Sequence, residues 1–169
     1  MLNNDLSQQI KRNFPYKPTE EQENAVKSFA EFLFSPSADS VFLMKGYAGT
    51  GKTTLTSALV RTLDSLQRKV ILLAPTGRAA KVFSGYAEHP AYTIHKKIYR
   101  QKVFSNETDN FVANQNLHRN TLFIVDEASM IANEGLSGGH FGSGRLLDDL
   151  VQYVYNGLGC RLMLIGDTA

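Results

Sequence analysis

The sequence has little with which to staple or anchor itself. Its 169 residues hold one cysteine, Cys160, five prolines and no tryptophan. A lone cysteine excludes an intramolecular disulfide, and its place before an apolar run predicts a buried structural thiol rather than a reactive one. No apolar stretch is long enough to span a bilayer. Residues 1–15 mix Asn, Asp, Gln and Lys, and the expectation from them is of no secretory leader. A reducing, cytoplasmic setting is the expectation. Net charge is only +2, so composition alone does not announce a nucleic-acid binder, and any such surface must be local. His89, His118 and His140 show no metal-ligand spacing with Cys160. No internal repeat is visible. What is present is an ordinary globular balance, 43% hydrophobic and 20% charged, and a length that predicts one domain spanning 1–169.

Against that plain background one stretch stands out. Gly46-Tyr47-Ala48-Gly49-Thr50-Gly51-Lys52-Thr53 reads G-x-x-x-x-G-K-T, the phosphate-binding loop. Val41-Phe42-Leu43-Met44 before it reads as a buried strand. After it Leu55, Ala58, Leu59, Thr62, Leu63 and Leu66 recur at helical spacing. Strand, glycine loop and helix together make the arrangement that holds a polyphosphate. Glycines let successive N–H groups turn toward phosphate oxygens, and the first turn of the helix has unpaired N–H groups and a favourable dipole. Lys52 can reach β- and γ-phosphates, and the Thr53 hydroxyl is a hard ligand suited to Mg²⁺.

The rest of the chain alternates strands and helices. Pro15 and Pro18 bar helix at Phe14–Pro18, and the N-terminal segment 1–37 then continues into a helix from Thr19. Thr19-Glu20-Glu21-Gln22 fits a capping box. Gln22 therefore has two readings: a cap on Thr19, or an amide matched to the N6/N7 edge of adenine. Lys69–Ala74 is a second buried strand, broken at Pro75-Thr76-Gly77 before a helical Arg78–Phe83. Thr76 is either part of an ordinary turn or a phosphate contact on the ligand edge of an open sheet. Tyr92-Thr93-Ile94-His95 leads into a run of cations and aromatics, Lys96, Lys97, Tyr99, Arg100, Lys102 and Phe104. That run is either a solvated basic loop or a surface for single-stranded nucleic acid. A turn cluster at 105–110 predicts a small hairpin within 96–120. His95 alone reads more readily as a structural histidine than as a catalyst.

Thr121–Val125 is a third buried strand ending in Asp126-Glu127. In a chain that already carries a phosphate loop, Asp126 is a candidate for Mg²⁺ and Glu127 for orienting and deprotonating water; the alternative is a solvated turn. Residues 133–144 are glycine-rich and predict a loop. Leu146, Leu147, Leu150, Val151 and Val154 form a helix face, and Arg161–Ile165 a fourth buried strand. Such alternation implies right-handed crossovers and an α/β fold, with a parallel sheet covered on both faces.

The ordered motifs resemble the motor domain of superfamily-one DNA helicases, nearest in pattern to the RecD/Dda branch. Thr19–Gln22 is similar to the Q motif, Gly46–Thr54 to motif I, and Ala74-Pro75-Thr76-Gly77-Arg78-Ala79-Ala80-Lys81 to motif Ia. Thr93–His95 is similar to the segment that follows, Val125-Asp126-Glu127-Ala128-Ser129-Met130 to motif II, and Leu164–Asp167 to the opening of motif III. The resemblance implies a RecA-like three-layer sandwich with a small inserted hairpin, ATP and Mg²⁺ as ligands, and 5′-to-3′ translocation on single-stranded DNA with unwinding of a duplex fork. Gln22 would then read adenine. Gly46, Gly49, Thr50, Gly51, Lys52, Thr53 and Thr54 would hold the triphosphate, Thr53 and Asp126 the metal, and Glu127 and Lys52 would be catalytic. Pro75, Thr76, Thr93 and His95 would face the DNA backbone, and Phe104 or Phe111 would tip a strand-separating pin.

The family continues past Gly166-Asp167 with a glutamine, then Leu-Pro, and with a second motor domain carrying an arginine finger. The expectation is thus an N-terminal helicase piece that binds nucleotide weakly, hydrolyses it poorly and unwinds nothing alone. Its partners would include that second domain and repair or recombination subunits. The competing readings are another phosphate-loop enzyme, such as a small-molecule kinase, and a non-catalytic DNA-binding module.

Overall fold

Alternate residues of the central strands point to opposite faces, and each face is covered by its own layer of helices. The computed structural model describes residues 2–47, 49–101, 111–131 and 142–167. In chain order the elements are α1 (Leu2–Arg12), α2 (Glu20–Leu33), β1 (Val41–Gly46), α3 (Lys52–Ser65), β2 (Lys69–Ala74) and α4 (Gly77–Ala87). Then come β3 (Ala91–Thr93), α5 (Ile94–Ile98), β4 (Tyr99–Gln101), β5 (Phe111–Ala113), β6 (Thr121–Val125), α6 (Leu146–Tyr155) and β7 (Arg161–Asp167). A single 3₁₀ turn, Ala128–Met130, follows β6.

Five strands form one parallel sheet in the order β1-β7-β6-β2-β3. The chain leaves β1, crosses to β2, adds β3 outside it, and returns through β6 and β7 to lie beside β1. All five carboxyl ends therefore share one edge. On one face Leu122, Ile124, Met163 and Ile165 pack with α1 to α4 through Ile10, Phe29, Leu59 and Phe83. On the other, Phe123, Val125 and Leu162 pack with α5 and α6 through Ile94, Ile98, Leu150 and Val154. That period-2 division is what a strand buried on both faces requires. β4 and β5 pair antiparallel, Tyr99 opposite Ala113, and make the small hairpin. Lys96 and Lys97 belong to α5. The connection 102–110, with Phe104, lies outside the described residues, as do the Phe111 side chain and most of the glycine-rich segment.

One feature goes beyond the sequence reading and two differ from it. The polar opening segment forms α1, whose Leu6 and Ile10 are buried one helical turn apart. β1 is not a buried strand throughout: Val41 is 39% and Leu43 51% exposed. It is an edge strand, and neither residue joins the cluster beneath α6. Leu66 sits at the C-cap of α3 and is exposed rather than on its buried stripe. Cys160 is buried, its Sγ 3.4 Å from the His118 carbonyl oxygen. Among the described residues, no helix is long and apolar enough to cross a membrane.

Candidate functional site

The loop after β1 is shaped by two steric demands. Gly51 has φ +87, and a Cβ there would lie 2.3 Å from Gln22 Nε2. Both facts require glycine. Gly49 likewise has positive φ, +82. The Thr50 hydroxyl turns back to donate to the Tyr47 carbonyl at 2.7 Å. α3 begins immediately after Gly51, which offers no side-chain cap. Its leading N–H groups are thus left for an anion.

Lys52 folds over this loop. Its Nζ donates to the Gly46 carbonyl at 2.5 Å and to the Gly166 carbonyl at 3.3 Å, and pairs with the Asp167 carboxylate. Gly46 and Asp167 are register partners at the carboxyl ends of β1 and β7. The next strand over, β6, delivers Asp126 and Glu127 to the same edge. One Asp126 oxygen accepts from the Tyr86 hydroxyl at 2.5 Å and the other from the Glu127 backbone N–H at 2.8 Å. Glu127 adopts a left-handed backbone, φ 55. Burial raises its pKa above the ordinary carboxylate value, Asp126 and Asp167 raise it further, and Lys52 opposes them. Burial and the hydrogen bond to Asp126 likewise push the Tyr86 hydroxyl up, so it stays a donor.

Lys52, Thr53, Thr54, Asp126 and Glu127 line one cavity of about 600 Å³. Gly49 and Gly51 line it too, and Gly46 reaches it through its carbonyl contact with Lys52. A larger cavity of about 740 Å³ lies at the opposite, amino edge of the sheet among Arg68, Lys69, Arg119 and Arg161. Volume therefore does not choose the site; converging polar chemistry does. In that larger cavity Arg161 is already committed, donating to the carbonyl of Phe32 in the last turn of α2 and to those of Ser35 and Ser37 beyond it.

Gln22 is buried, and its amide is occupied. Its Oε1 accepts from the Thr19 N–H at 2.9 Å, and its own N–H donates to the Thr19 hydroxyl at 3.2 Å. The capping box is complete. Its Nε2 donates to the Gly51 carbonyl at 3.2 Å, tying α2 to the phosphate loop. The expected DNA contacts sit on the same sheet edge, over β2 and β3. There Thr76 caps α4 by accepting from Ala79 at 3.1 Å, and Thr93 caps α5 by accepting from Lys96 at 3.2 Å. Thr76 is exposed, Pro75, Thr93 and His95 are half-buried, and burial holds the His95 pKa below its usual value. None of these four lines the cavity of Lys52. Sequence reasoning missed Tyr16, Tyr86 and the pairing of Asp167 with Lys52. The signals for Asp167 were an acid closing an apolar strand and its place in the stretch similar to motif III, neither of which pairs it with Lys52.

The AAA domain family model matches residues 17–169. The chain belongs to that family. This AAA domain is related to superfamily-one DNA helicases. It is 31% identical over 127 residues to the ATP-dependent RecD2 DNA helicase of Deinococcus radiodurans, covering 75% of this chain and 15% of that protein. It is 37% identical over 90 residues to the ATP-dependent DNA helicase dda of Enterobacteria phage T4, covering 52% of this chain and 20% of the relative. Against the multifunctional conjugation protein TraI of Escherichia coli (strain K12) it is 32% identical over 107 residues, 59% of this chain and 6% of TraI. The chain thus spans between 6% and 20% of the length of these relatives.

Proposed function

We propose that this AAA domain is the ATP-hydrolysing first motor domain of a DNA helicase that moves 5′ to 3′ on single-stranded DNA and opens a duplex fork. One observation carries the nucleotide part: a lysine from the loop after β1 and two acids from the end of β6 line a single cavity beside an uncapped helix N-terminus. Triphosphate oxygens take the place of the Asp167 carboxylate on Lys52, and the leading amides of α3 hold the phosphates. The Thr53 hydroxyl and the Asp126 carboxylate are hard oxygen donors on one cavity and fit Mg²⁺, which would neutralise charge on the β- and γ-oxygens. Among the described residues no group of three or more His, Cys, Asp or Glu could hold a metal by itself; phosphate oxygens and water would supply the other ligands. Glu127, with its pKa raised, orients the attacking water and accepts its proton. Adenine recognition by Gln22 would exchange its bonds to Thr19 and Gly51 for the base edge.

The DNA part rests on the likeness to two ATP-dependent DNA helicases and on the exposed cap Thr76 and the half-buried cap Thr93, with Pro75 and His95 beside them, on the sheet edge that faces ligands in open α/β folds. A single domain supplies one wall of a helicase cleft, so residues 1–169 bind nucleotide, hydrolyse it slowly and separate no strands. Titration calorimetry with ATP and magnesium tests the core of this reading. Lys52→Ala should lose binding, whereas Glu127→Gln should keep binding and lose hydrolysis. Unchanged ATP binding by Lys52→Ala, or robust unwinding by residues 1–169, would refute it. Phosphorylation of a small acceptor in place of DNA-stimulated hydrolysis by the longer protein would favour a kinase.

A further inference from the structure

The cavity has a direction. Lys52, Asp167, Asp126 and Glu127 gather at one end, where the terminal phosphate belongs, because the loop lysine reaches β- and γ-phosphates while the loop amides hold α and β. The nucleoside must then leave away from those acids, along the cavity wall where Thr54 stands in the first turn of α3. Tyr16 stands there. It lines the same cavity, and its hydroxyl meets the Thr54 side chain and, at 3.5 Å, Gln22 Nε2.

Tyr16 is held without being buried. Its ring meets the buried Phe14 edge-on, with centroids 6.3 Å apart and planes at 74°. Pro15 and Pro18 restrict the backbone on either side. Yet the residue keeps 51% of its surface exposed. A rigid, half-exposed aromatic beside a phosphate loop offers a face to a planar ring. The other base-recognition candidate, Gln22, already has both ends of its amide bonded within the protein.

We propose that Tyr16 is the stacking platform for the base of a nucleoside triphosphate, a base-binding residue outside the recognisable motifs. The inference rests on the nucleotide reading above and adds the feature that separates a nucleoside triphosphate from a bare polyphosphate. Stacking of a base on an aromatic side chain predicts about a tenfold loss of affinity when the ring is removed.

Calorimetric titration of residues 1–169 with ATP and, separately, with inorganic tripolyphosphate tests it, magnesium being present in both. The wild-type chain should bind ATP more tightly than tripolyphosphate. Tyr16→Ala should weaken ATP about tenfold and leave tripolyphosphate within about twofold, which also shows that the loop is still folded. Tyr16→Phe keeps the ring and should stay within about threefold of wild type for ATP. Equal ATP affinity in Tyr16→Ala and wild type would overturn the proposal. So would a parallel loss of both ligands, which would make Tyr16 a support for the loop, or a Tyr16→Phe defect as large as that of alanine. A wild-type chain that binds neither ligand would overturn the nucleotide reading itself, and this inference with it.

Discussion

Removing the Gln22 amide should cost stability before it touches chemistry. The side chain is 5% exposed, accepts from Thr19 N–H at 2.9 Å and donates to the Gly51 carbonyl at 3.2 Å. Gln22→Ala breaks the returning half of the capping box and unties α2 from the phosphate loop. Loss of a cap typically costs ~1 kcal/mol, and a neutral hydrogen bond contributes about the same. Thr19 is exposed, so water recovers part of its N–H; the half-buried Gly51 carbonyl keeps the Leu55 N–H at 3.0 Å. The expected loss is about 1–2 kcal/mol, a fall in Tm of about 2–8 °C for a chain of this size. Gln22→Glu separates the two contributions. Its carboxylate can still accept from Thr19, as glutamate does in other capping boxes, but the side chain no longer donates to the Gly51 carbonyl, which keeps only the Leu55 N–H at 3.0 Å. It should recover roughly half of the loss. Urea unfolding followed by circular dichroism, with an unchanged m-value, is the assay. Gln22→Ala within about 0.3 kcal/mol of wild type would refute a structural role and leave base recognition as the reason for the residue.

Asp167 competes with phosphate for Lys52. Asp167→Asn should therefore tighten tripolyphosphate binding without magnesium by up to about fivefold, the scale of a half-exposed ion pair; weaker or unchanged binding by calorimetry would count against that competition. Glu127 carries a raised pKa in the fold, so the folded state holds its proton more tightly than the unfolded chain does. Its contribution to stability falls as pH rises from the usual carboxylate range through the folded pKa, and stays low above it. Glu127→Gln should stabilise the fold slightly at pH 7, by under about 0.5 kcal/mol because the group is only half-buried and solvent screens it, with the difference in Tm vanishing near about pH 4. A Tm difference that grows on acidification would contradict the assigned sign.

Much of this fold is written locally. Lys69–Ala74 and Thr121–Val125 are apolar runs with short flanking turns, and both are strands over those residues. Thr19 and Gln22 are three residues apart and form the cap their spacing predicts. Gly51 is required by its own positive φ and by Gln22 beside it. α1 was hidden because its stripe is thin: Leu6 and Ile10 are its buried residues among polar neighbours, and they need the α2 and α3 cluster to be worth burying. The exposure of Val41 and Leu43 depends on β1 lying at the sheet edge, which no window of sequence reports.

The candidate site divides the same way. The loop, its lysine and the acidic pair could be named from residue types and spacing, because steric and electrostatic demands within a few residues select them. Their convergence could not. Strand order alone puts β7 between β1 and β6, and so brings Asp167 onto Lys52 across 115 positions of sequence. The bond from Tyr86 to Asp126 spans 40 positions and depends on how α4 lies against the sheet edge. Tyr16 in the sequence is an aromatic between two prolines; only the approach of the first segment to Thr54 and Gln22 makes it part of a nucleotide cavity. Short-range geometry fixed which groups are available, and the parallel ordering of the strands decided which of them meet.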